Sequence, residues 1–486
     1  MMSLPSATAS ASAAPQGAGS TRRVPTRRNA ELGLLLLGGL LLLTFTAGIH
    51  TALLQRFNLD IIIVPSLLLA LFLATHMVIR FLAPYADPVI LPCAATLNGL
   101  GVIFIQRIDF GDVDPGERSS LTALSGDAGI RQLIWTLVAL VAFTVVLSVV
   151  RDHRSLSRYA YTLALVGIVL IAIPAILPAS AADNGARLSI DIPFLGRIQP
   201  GEFAKLMLIV FFAYYLVRKR EVLSLASKRF LGIDFPRGRD MGPVLVVWAA
   251  SLLVLVRNSD LGTSLMFFAS FVVMLYVATE RTSWLLIGLG LFAAGAVLAH
   301  SLFARLQQRV SIYLDPFADR DGLGYQLVES LFGLGSGGLF GAGPGAGTPN
   351  RIPVVQSDFI TAGMGEEIGL FGLSGIVLLY MIITERGIRI ALSVRDSFGK
   401  LLAAGLAFSL GLQVFVIIGG VSKLIPLTGL TTPFMSLGGS SLVANWMLVA
   451  VLLRISDASR RPMTPGTGPG TLPTKLSSTA TEVVRL

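Results

Sequence analysis

The sequence predicts an all-α polytopic membrane protein. Hydrophobic residues make up 53% of its 486 positions and charged residues only 14%. Mean hydropathy is +0.75. Apolar stretches of about 20 residues, the length that carries a helix across a ~30 Å hydrocarbon layer, recur along most of the chain. Backbone groups in lipid must be satisfied internally, so these stretches are expected to be helices. A transmembrane β-barrel would instead alternate apolar and polar residues over short segments.

Residues 1–30 are rich in Ala, Ser, Gly and Pro and end on Arg22, Arg23, Arg27 and Arg28. They read as a disordered basic arm. The following apolar run, Leu32 to Leu54, is too long for the hydrophobic part of a secretory signal and is expected to be the first span. Eleven more are expected at 61–81, 88–107, 130–150, 159–178, 201–217, 242–258, 261–279, 283–301, 367–384, 401–420 and 438–454. Asn98 and several glycines interrupt the span at 88–107. The segment 458–486 is expected to be a disordered tail.

The net charge of +10 is not a nucleic-acid footprint, because the basic residues lie in connections between apolar spans. With twelve spans the two ends share a side. Connections facing that side carry Arg151, Arg154, Arg158, Arg218–Arg220, Arg386, Arg389 and Arg395, whereas Asp109, Asp112, Asp114 and Glu117 lie opposite. Basic loops face the cytoplasm, so both termini are expected there. Cys93 is the single cysteine, which excludes an intramolecular disulfide and a cysteine metal cluster. His50, His76, His153 and His300 are scattered and read as packing or interfacial residues.

Two outer segments are too elaborate to be turns: 179–200, and 302–366. Long loops of this kind are more often functional than decorative. The apolar content of the second suggests short helices on or dipping into the membrane surface. It contains Asp315, Asp319 and Asp321 within LDPFADRDGLGYQ. An EF-hand needs a Glu at the twelfth loop position, which is missing. A general base is the better reading: a carboxylate can take the proton of an attacking hydroxyl. Residues 333–347 hold eight glycines, and Gly333, Gly335 and Gly338 satisfy GxGxxG, but without a βαβ setting this does not read as a dinucleotide site. The glycines suit tight turns and close backbone approach.

In the first outer segment, Pro200 and Glu202 suit a helix N-terminus. Glu202 and Lys205 are three apart and share a helical face, so they can pair. Alternatively Lys205, with Arg187 and Arg197, serves an anionic headgroup such as a pyrophosphate. Asp260 lies between two apolar spans, and Glu366 and Glu367 open another. Ionisable groups at a membrane are functional candidates, though Asp260 could cap a helix and the glutamates could favour a helix N-terminus. The run Pro426–Trp446, PLTGLTTPFMSLGGSSLVANW, breaks an outer connection with prolines and small residues that let helices approach closely.

Taken together, NGARLSI…GRIQPGEFAKL, NSDLGTSL, LDPFADRDGLGYQLVESL…GSGGLFGAG, SDFITAGMGEEIGLFG and PLTGLTTPFMSLGGSS resemble, in order and spacing, the SEDS family of RodA, FtsW and SpoVE. The resemblance covers about 88–460, and its last run is closer to actinobacterial RodA than to the division paralogue FtsW. Family members commonly have ten spans, so residues 31–87 are an added helix pair before a core at 88–457. The resemblance implies a peptidoglycan glycosyltransferase that polymerises lipid II on the outer face of the bacterial cytoplasmic membrane with inversion, for elongation and shape. It implies Asp319 as the essential outer-loop acid. Around it, it implies a substrate-contact set of Arg187, Glu202, Lys205, Asp260, Asp358, Glu366, Glu367 and Ser440. Ser259 stands where the family has Pro, Ser357 where it often has Thr, and Leu188 at an aromatic position. No cofactor is required, although Mg2+ or Mn2+ can accompany the pyrophosphate. The implied partners are lipid II, membrane lipids and a class B penicillin-binding protein. A lipid II flippase is the main alternative, since a transporter would use boundary charges too, although no inverted repeat is evident; an FtsW-type division polymerase is the other.

Overall fold

The computed structural model describes residues 26–54, 62–111, 127–176, 190–192, 196–224, 226–230, 233–236, a few positions within 242–250, and 261–462. Among these are eleven helices long and apolar enough to cross a membrane. They are α1 (Arg28–Leu54), α2 (Ile63–Leu82), α3 (Ile90–Gly111), α4 (Asp127–Val149), α5 (Ala160–Ile176), α6 (Pro200–Ser224), α7 (Leu261–Thr279) and α8 (Ser283–Leu302). After two short helices, α9 (Ala304–Leu314) and α10 (Tyr325–Gly337), come α11 (Ile360–Ser393), α12 (Ser397–Val421) and α13 (Gly439–Arg460). The expected span at 242–258 lies largely outside the described residues. Two short antiparallel hairpins join the helices: β1 (Ile190–Ile192) with β2 (Gly196–Ile198), and β3 (Ala226–Phe230) with β4 (Ile233–Pro236).

α3 is the span whose sequence is least like a membrane helix, and every residue of its apolar window is buried inside the protein. Its interruptions are what let neighbours in. Asn98 donates to Thr136 Oγ1 (3.3 Å) and Phe434 O (3.4 Å) and accepts from Trp446 Nε1 (3.1 Å). A Cβ on Gly99 would strike the Leu42 side chain, and one on Gly101 the Met435 backbone. Polar and small residues at a helix crossing thus replace the apolar side chains that lipid would demand.

α11 runs from Ile360 to Ser393, longer at both ends than the expected 367–384. Its first turns escape a hydropathy reading because they sit inside protein, where Glu366 and Glu367 are buried. The helix is broken at Gly369, with φ 65°. Four of the backbone groups around the break bond to the returning segment of the outer loop. Ala342 N donates to Glu366 O (2.9 Å) and Gly343 N to Glu367 O (2.9 Å). Leu370 N donates to Gly338 O (3.0 Å) and Phe371 N to Leu339 O (3.1 Å). Irregular backbone at membrane depth is tolerated where protein re-satisfies it in this way.

The N-terminus of α1 and the C-terminus of α13 lie at one end of the bundle. Arg28 donates to Ala86 O, Tyr85 N donates to Asp457 Oδ1 (2.9 Å), and Arg460 Nη2 pairs with Asp87 Oδ2 (2.6 Å). His153 and Arg154 meet Asp396 between α11 and α12. The long segment between α8 and α11 lies at the opposite end.

Candidate functional site

The outer segment is a packed structure. α9 lies along the 423–428 stretch: Arg309 Nη1 donates to Leu427 O (3.1 Å) and Thr428 O (2.9 Å), and Tyr313 Oη to Leu424 O (3.2 Å). α10 packs against the first turns of α11, where a Cβ on Gly337 would strike the Gly365–Glu366 backbone. Ser330 Oγ ties α10 to Val421 O of α12 (3.2 Å). Between α9 and α10 the chain turns around Asp319. Its Oδ2 accepts from Leu323 N (2.8 Å), and its carbonyl from Gly322 N (3.3 Å) and Gly324 N (3.0 Å). A Cβ on Gly322 would strike the Asp319 carboxylate, and one on Gly324 the Pro316 carbonyl. The two glycines are therefore required for the turn to close. Asp319 is exposed, and among the described residues its Oδ1 has no partner. Beside the turn is a cavity of about 520 Å³, lined by Arg305, Gln308, Arg309, Tyr313, Tyr325 and Gln326 with Ile312, Leu327 and Leu427. That size suits a sugar-sized ligand.

Glu202 and Lys205 stand in the first turns of α6. Ser440, at the start of α13, sets the position of that helix end by accepting from Gln199 N (2.8 Å). Lys205 Nζ donates to Glu202 Oε2 (2.9 Å) and to Gln413 Oε1 (2.7 Å), and all three side chains are buried. The expected pair forms, therefore, and Gln413 is a third member that the sequence reading missed. Gln413 Nε2 in turn holds Thr431 O (3.0 Å). An isolated glutamine in an apolar span offers a signal only as a polar group that must find partners in the membrane. An ammonium has three donors, of which two are engaged here. The cavity at this pair is about 30 Å³, with Pro174, Thr263, Met266, Phe267 and Leu430 on its walls. It holds a water or two, not a pyrophosphate.

The two cavities lie on either side of the 427–430 segment, with Leu427 lining one and Leu430 the other. Gly429, at φ 75°, makes the turn between them. Asp358 faces this turn from the loop end of α11. Burial raises its carboxyl above the ordinary range, opposed by a hydrogen bond from Ser357 and by the charge of Arg309. The Asp319 turn, through Gly322 and Leu323, and the Glu202–Lys205 pair thus border different cavities, which share no lining residue.

Glu366 and Glu367 are not at a helix start and are not in either cavity. They lie in the second turn of α11 and hold the glycine-rich loop. Glu366 Oε1 accepts from Thr348 N (2.8 Å) and Oγ1 (3.2 Å). Glu367 Oε1 pairs with Arg107 Nε, and its Oε2 accepts from Gly345 N (2.9 Å). Arg107 Nη2 adds a bond to Gly347 O (2.6 Å). Arg107 is a member that the sequence reading missed; its one signal is a cation at the end of an expected span. Arg187 and Asp260 lie outside the described residues, as does the Arg197 side chain. Among the described residues no three His, Cys, Asp or Glu side chains cluster as a metal site would require.

The family profile described as "Cell cycle protein", covering FtsW, RodA and SpoVE, matches residues 88–461. The chain is 47% identical over 444 residues to the peptidoglycan glycosyltransferase RodA of Mycobacterium tuberculosis (strain H37Rv), covering 91% of this chain and 93% of that one. It is 34% identical over 336 residues to the stage V sporulation protein E of Bacillus subtilis (strain 168), covering 68% and 87%. Two solved structures share the fold. One is described as structural coordination of polymerization and crosslinking by a peptidoglycan synthase complex, with TM-score 0.60, 24% identity and 78% and 99% coverage. The other is the Thermus thermophilus rod shape determining protein RodA, with TM-score 0.53, 22% identity and 78% and 98% coverage. On the ordered motifs, the bundle and these matches, the chain belongs to the FtsW, RodA and SpoVE family of polytopic membrane proteins.

Proposed function

We propose that the chain is a peptidoglycan glycosyltransferase that polymerises lipid II at the outer face of the bacterial cytoplasmic membrane, serving elongation and shape. The observation that carries this is the carboxylate of Asp319, held by a tight turn whose Gly322 and Leu323 line a sugar-sized cavity at the end of the bundle opposite the start of α1 and the end of α13. Similarity to curated peptidoglycan glycosyltransferases supports it. An outer site has no cytoplasmic nucleotide sugars, so its donor must be carried by lipid.

In this reading Asp319 takes the proton of the acceptor sugar's 4-hydroxyl. The oxygen attacks the donor's anomeric carbon, the bond from that carbon to the pyrophosphate oxygen breaks, and undecaprenyl pyrophosphate leaves. A single displacement inverts α to β. The third donor of Lys205 and the loop arginines favour the charge that gathers on the leaving pyrophosphate. Since the Lys205 cavity is small, donor entry requires the 427–430 wall to yield, which also brings the two sugars together. A divalent cation arriving on the pyrophosphate would belong to the substrate. A class B penicillin-binding protein as partner is supported by the synthase-complex structure that shares the fold.

In a reconstituted assay with purified lipid II in detergent, where no flipping is needed, the wild type is expected to make glycan polymer. Asp319→Asn should make none while eluting as a folded protein. Normal polymer from that variant would remove Asp319 from the chemistry, and no polymer from the wild type, with or without the partner, would favour a transporter. The orientation has its own check. Single cysteines at Ser3 and Thr479, in a Cys93→Ser background, should react only when the cytoplasmic side is opened. One at Asp321 should react in intact spheroplasts.

A further inference from the structure

α1 and α2 precede the residues that the family profile matches. They are nevertheless built into the outer loop. A Cβ on Gly48 of α1 would lie 3.1 Å from Pro344 Cβ. From the other side, a Cβ on Gly345 would lie 2.9 Å from Ile49 Cα and O and 3.1 Å from Ala52 Cβ. Backbone thus meets backbone at a crossing where neither chain has room for one more carbon. Gly345 has φ 81°, so its conformation disfavours a side chain independently of the crowding. The helix and the loop are fitted at these two glycines, and a contact of this closeness transmits displacement rather than absorbing it.

The loop at this contact is the one that the buried carboxylates hold. Gly345 N donates to Glu367 Oε2 (2.9 Å), Gly343 N to Glu367 O (2.9 Å), and Glu367 pairs with Arg107. The same first turns of α11 carry α10, whose N-terminal turn is the one that closes on Asp319. A continuous set of short contacts therefore runs from α1 to the Asp319 turn, and none of its α1 members borders either cavity.

We infer that α1 is a positioning element of the catalytic loop, with Gly48 seated on Pro344 and Gly345 seated on α1, so that the N-terminal pair sets where Asp319 stands. The inference rests on the polymerase reading. Widening this contact should misplace the base without altering what the substrate touches. Misplacement by about 1 Å can cost up to about a hundredfold in rate.

The test uses the full chain in nanodiscs with purified lipid II. Gly48→Leu should lower kcat by about tenfold to a hundredfold, leaving KM for lipid II within about twofold. Gly39→Leu is the control. It adds the same side chain to the same helix, but faces Leu69 of α2 and not the loop. It should lower thermal stability while keeping kcat near wild type. A direct readout is the pair Gly48→Cys/Pro344→Cys with Cys93→Ser. The Cβ separation of 3.1 Å is a few tenths of an ångström under the usual disulfide range of about 3.5–4.5 Å, so with a small outward shift the cross-link should form on oxidation and leave polymerisation intact. Equal kcat losses in the two leucine variants, no loss in Gly48→Leu, or failure of the cross-link would each overturn the inference. Absence of polymer from the wild type would overturn the polymerase reading itself and is seen before any variant is compared.

Discussion

Asp358 is the residue whose ionisation is most tightly bound to the site's geometry. Burial holds its carboxyl above the ordinary range, so the folded protein keeps the proton at pH values where the unfolded chain has released it. The folded state then binds more protons, and stability falls as pH rises from the ordinary carboxylate pKa of about 4 towards the raised folded value. Asp358→Asn should remove that slope. Thermal unfolding in detergent across this window would show it, and an unchanged pH dependence would mean that Asp358 is not the group responsible. Asp319 differs in kind. It is an exposed carboxylate whose role depends on the turn made by Gly322 and Gly324, which is why its motif includes the glycines. Spacing alone could single out three carboxylates in this run, but could not say which one the chain wraps around. The Glu202–Lys205 pair follows from helical spacing alone. Their third partner, Gln413, comes from a helix more than two hundred residues away and is a product of packing.

Among the elements, α11 departs most from the sequence reading. Hydropathy finds the lipid-facing part and misses the buried first turns, because glutamates there lower the score while being satisfied by the loop. The break at Gly369 is the hinge of this arrangement. A Cβ at this position would strike Gly341 N and Leu339 O, and φ 65° is disfavoured for any other residue. Gly369→Ala should therefore cost of order 1–3 kcal/mol, lowering the unfolding temperature in detergent. A variant as stable as wild type would mean that the loop strand can move aside. α3 teaches the converse lesson. Its low hydropathy reflects full enclosure by other helices, and Asn98, Gly99 and Gly101 are the contacts that enclose it.

At the scale of the whole molecule, charged residues join its pieces at the end that holds the start of α1 and the end of α13. Arg28, Glu31 and His76 are at most 3% exposed. Arg28 pairs with Glu31, which is 2.6 Å from His76 Nδ1, and Arg28 also reaches Ala86 O at the entrance to the family-matching region. A buried charge is costly when its partner is removed, by about 3–5 kcal/mol, whereas replacing the whole set with apolar groups is often neutral or stabilising. Glu31→Ala should accordingly destabilise the detergent-solubilised protein strongly. The triple variant Arg28→Met/Glu31→Leu/His76→Phe should recover most of that loss. If the triple variant is no better than Glu31→Ala, the ions specify the docking of α1 and α2 rather than merely tolerating burial.

The sequence by itself determined the class and the family, because span length and ordered motifs are local properties written along the chain. It also narrowed the candidate base to three carboxylates of one outer run, of which the family resemblance singles out Asp319. Only the tertiary structure decided which charged residues serve the cavities and which hold the fold. Glu366 and Glu367 were grouped with the substrate contacts on resemblance, yet they grip the glycine loop, because Arg107 and the loop amides converge on them from distant segments. Asp319 and Lys205 were read as facing one pocket, yet the 427–430 segment stands between their cavities. The N-terminal pair precedes the residues the family profile matches, and the structure adds that its first helix packs closely on the glycine-rich outer loop at Pro344 and Gly345. Each of these depends on close approach between segments far apart in the chain, and no periodicity or local composition encodes such a distance.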